Sequence, residues 1–245
     1  MPTTVSASDL DRSESPAALY TKWEVLPASA NHEVHVLESH GTLAAAKSYA
    51  TGECLKTLGL EPQEFTLYAV KPTEQTEVED WPYGDGVLVF GRAPTGSEMH
   101  IAIETGPNQE SLTMRPDGRL FLPDGAQLLH YILQTSIDYN VDRCGCRLTT
   151  EIIGAYVHRQ NAWVAAHKAL DRDQFVQYDD SHDPQFVGQW PFGEDVAVHA
   201  IAETGQNCFV AVQKPLWAHQ GRTNHVTRSL AMAELYCFVL DQSSP

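Results

Sequence analysis

WPYGDGVLVFGRAPTGSEMHIAIE, residues 81–104, returns 109 residues later as WPFGEDVAVHAIAETGQNCFVAVQ, residues 190–213. Laid on each other without a gap, the two passages share Trp, Pro, Gly, Val, Val, Ala, Thr, Gly and Ala in the same places. Tyr83 is exchanged for Phe192 and Asp85 for Glu194. In the first passage GVLVFGRA and EMHIAIE alternate as strands joined across PTGS, where Pro and Gly supply hairpin-turn geometry. DVAVHAIA and CFVAVQ make the same hairpin across ETGQ.

The likeness extends outward from the hairpins. EFTLYAVKP (64–72) matches QFVQYDDSH (174–182) in its Phe-x-x-Tyr core, and YILQTS (131–136) resembles FVLDQSS (238–244). Self-similarity of this kind divides the chain into a polar, flexible lead-in (1–31), a first unit (32–140), a linker VDRCGCR (141–147) and a second unit (148–245). Two copies are a duplication, too few for a solenoid.

Each unit reads in the same order. HEVHVLES (32–39) alternates with period two and predicts a strand. TLAAAKSYATGECLKTLG predicts a helix with Ala46, Ala50, Cys54 and Leu58 on one face, Thr42 as its cap and Gly59 at its end. FTLYAVK is a further strand, RPDGR a turn through Pro116, Asp117 and Gly118, and DGAQLLHYILQTSIDY (124–139) a closing helix with Asp124 as N-cap and Gln127 at the capping-box position. In the second unit TTEIIGAYV, NAWVAAHKAL and QFVQY precede the hairpin, and NHVTRSLAMAELYCFVL (224–240) predicts the closing helix. The expected fold is α+β, an internal duplication of a β-α-β-β-β-α unit with antiparallel sheets covered on one face by helices.

Composition narrows the function. Of 245 residues, 42% are hydrophobic and 20% charged, within the globular range. No apolar run approaches the ~20 residues of a membrane span, and the N-terminus carries no basic and apolar leader, so the expectation is a cytoplasmic or nuclear protein, not a secreted one. The formal net charge of -16 disfavours nucleic-acid binding, which needs clustered Lys and Arg. Residues 1–140 hold 20 of the acids against 8 bases, densest in TEQTEVED (73–80). That run reads as a solvated loop, with a docking surface for a basic partner or a nucleic-acid mimic as alternatives.

Candidate chemistry is sparse. Cys144 and Cys146 with a nearby histidine are a possible zinc or redox pair, but C-x-C is tighter than the usual metal spacing and no second pair exists. Cys54, Cys208 and Cys237 read as buried thiols. There is no nucleophile elbow and no phosphate loop, and Asp85 and Glu194 read as exposed turn residues. No cofactor is expected. Trp81, Tyr83, Trp190 and Phe192 either fold over the ends of their sheets against a helix or anchor a partner or ligand. The copies drift at polar positions: Phe90 becomes His199, Arg92 becomes Ile201, and Met99 and His100 become Cys208 and Phe209. This drift argues against two equivalent active sites.

The string YVHRQNAWVAAHKALDRDQFVQYDD (156–180) followed by the second hairpin resembles small intracellular fungal proteins of no assigned activity. In those proteins a strand, an alanine-rich helix, an aromatic-x-x-Tyr strand, an acidic loop and a Gly-centred hairpin follow one another. GTLAAAKSYA and FTLYAVK supply the corresponding parts of the first unit. The resemblance implies a fungal source and an intracellular role and carries no catalytic residue. The expected function is a non-enzymatic, acidic interaction protein meeting another protein through acidic or aromatic patches, its oligomeric state left open. The alternative is an enzyme or small-molecule binder with a site in the cleft between the units, assembled from residues such as Arg92, His100, His199 and Cys208.

Overall fold

The computed structural model describes residues 33–72, 81–123, 125–143, 148–182, 190–215 and 232–241. The lead-in, the acidic run 73–80, Asp124, Cys144 and Cys146 lie outside the described residues.

The first strand, β1 (Glu33–His40), is followed by α1 (Leu43–Gly52) and α2 (Cys54–Leu58). The Thr42 hydroxyl accepts the Ala45 N–H at 3.2 Å and so satisfies one of the free donors at the start of α1. Gly59 ends α2 at φ 69°, a left-handed conformation that costs a glycine little. Ala46, Ala50, Cys54 and Leu58 are buried together, as their spacing predicts. β2 (Leu67–Val70), β3 (Val87–Arg92) and β4 (Glu98–Pro107) then pair antiparallel in sequence order. The second half supplies β6 (Leu148–Tyr156), α3 (Arg159–Ala166), β7 (Phe175–Asp180), β8 (Val196–Ala202) and β9 (Gln206–Gln213).

Both expected closing helices are strands, β5 (His130–Asp138) and β10 (Met232–Asp241). The physical reason is visible in β5, where Tyr131, Ile132 and Leu133 are all buried in succession. A strand covered on both faces has no polar side to alternate with, and its continuous apolar run is indistinguishable from a buried helix by periodicity. The fold is therefore mixed α+β with two sheets in which most strand pairs are antiparallel.

Those two strands cross over. The sheets have the orders β1-β10-β4-β3-β2 and β6-β5-β9-β8-β7. Each sheet thus takes its second strand from the other half of the chain. The polarity of the insert differs: β10 runs parallel to β1 and β4, whereas β5 runs antiparallel to β6 and β9.

Packing follows a helix–sheet–sheet–helix plan. Leu37, Met99, Ile101 and Cys237 face α1 and α2. Ile132, Val198, Val210 and Val212 face Ala162 and Ala166 of α3. The opposite faces meet each other: Val36, Ala102, Phe238 and Leu240 of the first sheet share a core with Tyr131, Leu133, Ile152 and Ala155 of the second. Gly106 permits the close passage of β4 by β10, since a Cβ there would run into the Phe238 ring.

Candidate functional site

At one end of the shared core the sheets leave a cleft of about 270 Å³, lined from four directions. β1 contributes Glu38 and Ser39, and β5 contributes Tyr131. The connection between β4 and β5 contributes Arg115, Arg119 and a series of leucines, and Pro215 closes one side. The connection is held in place by short local bonds. Arg115 N–H donates to the Arg119 carbonyl at 2.7 Å around the Asp117–Gly118 turn, and Gly41 N–H donates to the Gly118 carbonyl at 2.8 Å. Both arginines flank a turn whose sequence looks ordinary, and their role as cleft walls depends on that docking.

The floor is polar at one point. Ser39 and Tyr131 join hydroxyls at 2.7 Å, so the first strand of one sheet is bonded to the inserted strand of the other. Leu120 and Leu129 are buried beside them, while the Arg119 side chain is about half exposed at the rim and lies 3.7 Å from Glu53. Burial raises the Glu38 carboxyl above its ordinary value; Arg119 opposes this and Glu53 adds to it. A bulge between Val36 and Glu38 places this carboxyl here. Next along the strand, His40 is buried against Tyr49, at 5.3 Å between ring centroids. Neither of its ring nitrogens meets a hydrogen-bond partner among the described residues. Burial first, and Arg119 second, lower its pKa to about 4, so it is a neutral imidazole in the ordinary pH range.

The residues singled out in the sequence fall into two other clusters. In the first, Trp81 stands edge-on to Tyr83 at 4.9 Å, and Tyr83 stacks on Phe90 at 4.1 Å. Phe90 meets His100 edge-on at 5.0 Å. Arg92 bonds Glu98 at 2.7 Å and lies 5.6 Å from the Phe90 centroid, and His100 Nε2 lies 3.6 Å from Glu98. In the second, Trp190, Phe192, His199 and Phe209 form the same ladder. Both ladders cover the sheet face turned away from the helices, because Phe90 alternates with Val89, which faces α1. Each Trp stands edge-on to the aromatic two residues further on, at the outer end of its ladder. The hairpin pairs are inverted: Phe90 opposes His100, and His199 opposes Phe209 in the equivalent register. Arg92 and His100 belong to one ladder and His199 to the other. Cys208, opposite Ala200, lies 3.5 Å from the Ser136 hydroxyl.

Two Asp–His contacts escaped the sequence reading. Asp179 and Asp180 end β7, and each of the two meets a histidine. Asp179 lies 3.0 Å from His199 Nδ1, whose Nε2 is 3.0 Å from Asn207, so both ring nitrogens are engaged. Asp180 lies 2.9 Å from His167 Nδ1. His167 stacks on His182 at 4.2 Å, and the Trp163 indole N–H donates to His182 at 2.7 Å. Burial, ahead of the opposing Asp180, lowers the His167 pKa. The sequence signal was the Asp-Asp ending a strand one residue before a turn, legible only once its hairpin partners are known.

No group of three or more His, Cys, Asp or Glu side chains is placed to hold a metal ion among the described residues. No helix of the described residues is long and apolar enough to cross a membrane. Comparison with protein-family models, with curated proteins and with solved structures gives no match for this chain, and its function rests on the geometry above.

Proposed function

We propose that the chain is a binding protein whose scaffold is an internal duplication, and that its ligand site is the cleft at the end of the inter-sheet core. The observation that carries this reading is the convergence of Glu38, Arg115, Arg119 and the Ser39–Tyr131 hydroxyl pair on one concave space lined otherwise by leucines. Binding, not catalysis, is favoured because the histidines nearest to acidic partners are committed elsewhere: His199 has both nitrogens engaged, and His167 is stacked in its own cluster. The duplication is supported by the shared Trp-Pro-aromatic ladders and the common strand order. The full chain with labelled leucine methyls, titrated with a mixture of small fragments, tests the site. Shifts centred on Leu122, Leu128 and Leu129 are expected. Shifts confined to leucines away from the cleft, such as Leu55 and Leu58, or none at all, would sink the reading.

A second reading, a protein partner, has one observation in its favour. Val176 on the outermost strand β7 is 70% exposed, between the acidic residues Asp173 and Asp179. A photo-crosslinker at position 176 in the full chain should then capture a basic segment of a partner, and capture should fail in the presence of Asp179→Lys.

A further inference from the structure

We infer that the cleft takes a small monocarboxylic acid with an apolar body, its carboxylate between Arg115 and Arg119 and its hydrocarbon against the leucines. This rests on the reading of the cleft as a ligand site and adds the class of ligand.

Three observations lead to it. The first is the division of the lining. The guanidinium groups stand at the solvent-exposed rim, while Leu120 and Leu129 are buried deeper. An amphipathic wall of this kind matches a ligand with one charged end. Arg is suited to a carboxylate head because its planar fork meets two oxygens at once.

The second is charge. Arg119 lies 3.7 Å from Glu53 and faces Glu38 across the cleft, so part of its charge is already offset. The Arg115 Cζ lies 5.9 Å from the Phe121 ring centroid. That leaves the rim with one guanidinium, that of Arg115, which neither carboxylate is seen to offset. A monocarboxylate matches it, and a phosphate dianion exceeds it and meets Glu38 as well.

The third is size. At roughly 30 Å³ per water the cleft has room for about nine waters, or a ligand of similar heavy-atom count. Hexanoate, with its eight heavy atoms, fits within that space.

The test is calorimetric titration of the full chain with hexanoate, with its neutral analogue hexanamide and with inorganic phosphate. Arg115→Gln and Arg119→Gln remove the rim charges, and Ala126→Trp and Gln127→Trp each fill the cleft. The unfolding midpoint of every variant is checked first, so that a variant that fails to fold is set aside for its partner. Saturable hexanoate binding is expected, weakened about tenfold or more in each arginine variant and absent when the cleft is filled. Hexanamide and phosphate should bind about tenfold more weakly than hexanoate. Equal binding of hexanoate and hexanamide, both blocked by the tryptophans, overturns the acid inference and leaves the cleft as a ligand site. Tighter binding of phosphate than of hexanoate overturns the apolar body. No binding of any probe, or binding indifferent to the filled cleft, overturns both.

Discussion

Ser39 and Tyr131 share a hydrogen bond of 2.7 Å between their hydroxyls, although they are 92 residues apart and belong to different sheets. Tyr131 is 1% exposed, and its hydroxyl pairs with that of Ser39 on the floor of the cleft. Tyr131→Phe removes the bond and strands the Ser39 hydroxyl, at an expected loss of about 1–2 kcal/mol in urea unfolding. Adding Ser39→Ala should recover part of that loss, since the double variant leaves no orphaned group. A double variant as costly as the two singles combined would show that the bond contributes nothing.

Glu104 crosses between the sheets in the same way, its carboxylate accepting the Ile152 N–H at 2.9 Å. Burial raises its pKa from 4.5 to about 7, against the Ile152 bond that lowers it and with a push from Glu151. A raised pKa in the fold means that its contribution is fully present below pH 4.5 and is lost as the pH rises through 7. Glu104→Gln keeps an acceptor for Ile152 and cannot ionise. It should match the parent near pH 4.5 and exceed it at pH 8 by about 3 kcal/mol, read from unfolding curves at the two pH values.

His40 tilts the profile the other way. Its pKa is lowered from 6.5 to about 4, so its contribution is present above pH 6.5 and is lost as the pH falls through 4. His40→Phe preserves a ring against Tyr49 and removes the titration. Relative to the parent, the variant should gain stability on going from pH 7.5 to pH 4.5, by a few kcal/mol at most. A difference that does not change with pH would mean that the imidazole titrates in the fold as it does in the unfolded chain.

The inverted hairpin pairs predict a compensated exchange. In the second half His199 reaches Asn207, which occupies the place of Glu98 in the first. A histidine placed at 90 would therefore meet Glu98 by the same diagonal. Phe90→His and His100→Phe should each destabilise, and the double variant should lose at least ~0.5 kcal/mol less than their sum. Strict additivity would count against equivalence of the two ladders.

The crossed strands predict that neither half is self-sufficient. A fragment of residues 32–140 lacks β10 and leaves β5 without β6 and β9, and a fragment of 148–245 lacks β5. Each should be largely unfolded alone by far-ultraviolet circular dichroism, and mixing the two should restore strand signal as a one-to-one complex. Two independently folded fragments would contradict the sheet orders.

The sequence made the hairpins, the Thr42 start of α1, the Gly59 end of α2 and the Asp117–Gly118 turn readable, because each is decided by neighbours a few residues away, whereas the break between α1 and α2 at Glu53 was not foreseen. β5 and β10 were unreadable for the reason that makes them central. Tyr131, Ile132 and Leu133 are apolar in succession, which suits a helix interior as well as a doubly covered strand. The cleft was hidden more deeply, since Glu38, Arg119 and Tyr131 come together only when β5 enters the opposite sheet. Trp81 and Trp190 were legible as packing residues, but the face they cover depended on which neighbour of Val89 points at the helix.

The insertion of β10 beside β1 also sets how the molecule would answer to force. The two strands are parallel, from Glu33 opposite Ala233 to His40 opposite Val239. Tension applied at residues 33 and 241 pulls them past each other lengthwise, loading the whole ladder at once instead of opening it one bond at a time. β10 is gripped on its other side by β4, also in parallel, from Met232 opposite Glu98 to Asp241 opposite Pro107. The first and last described strands therefore form a shear joint against tension applied at residues 33 and 241.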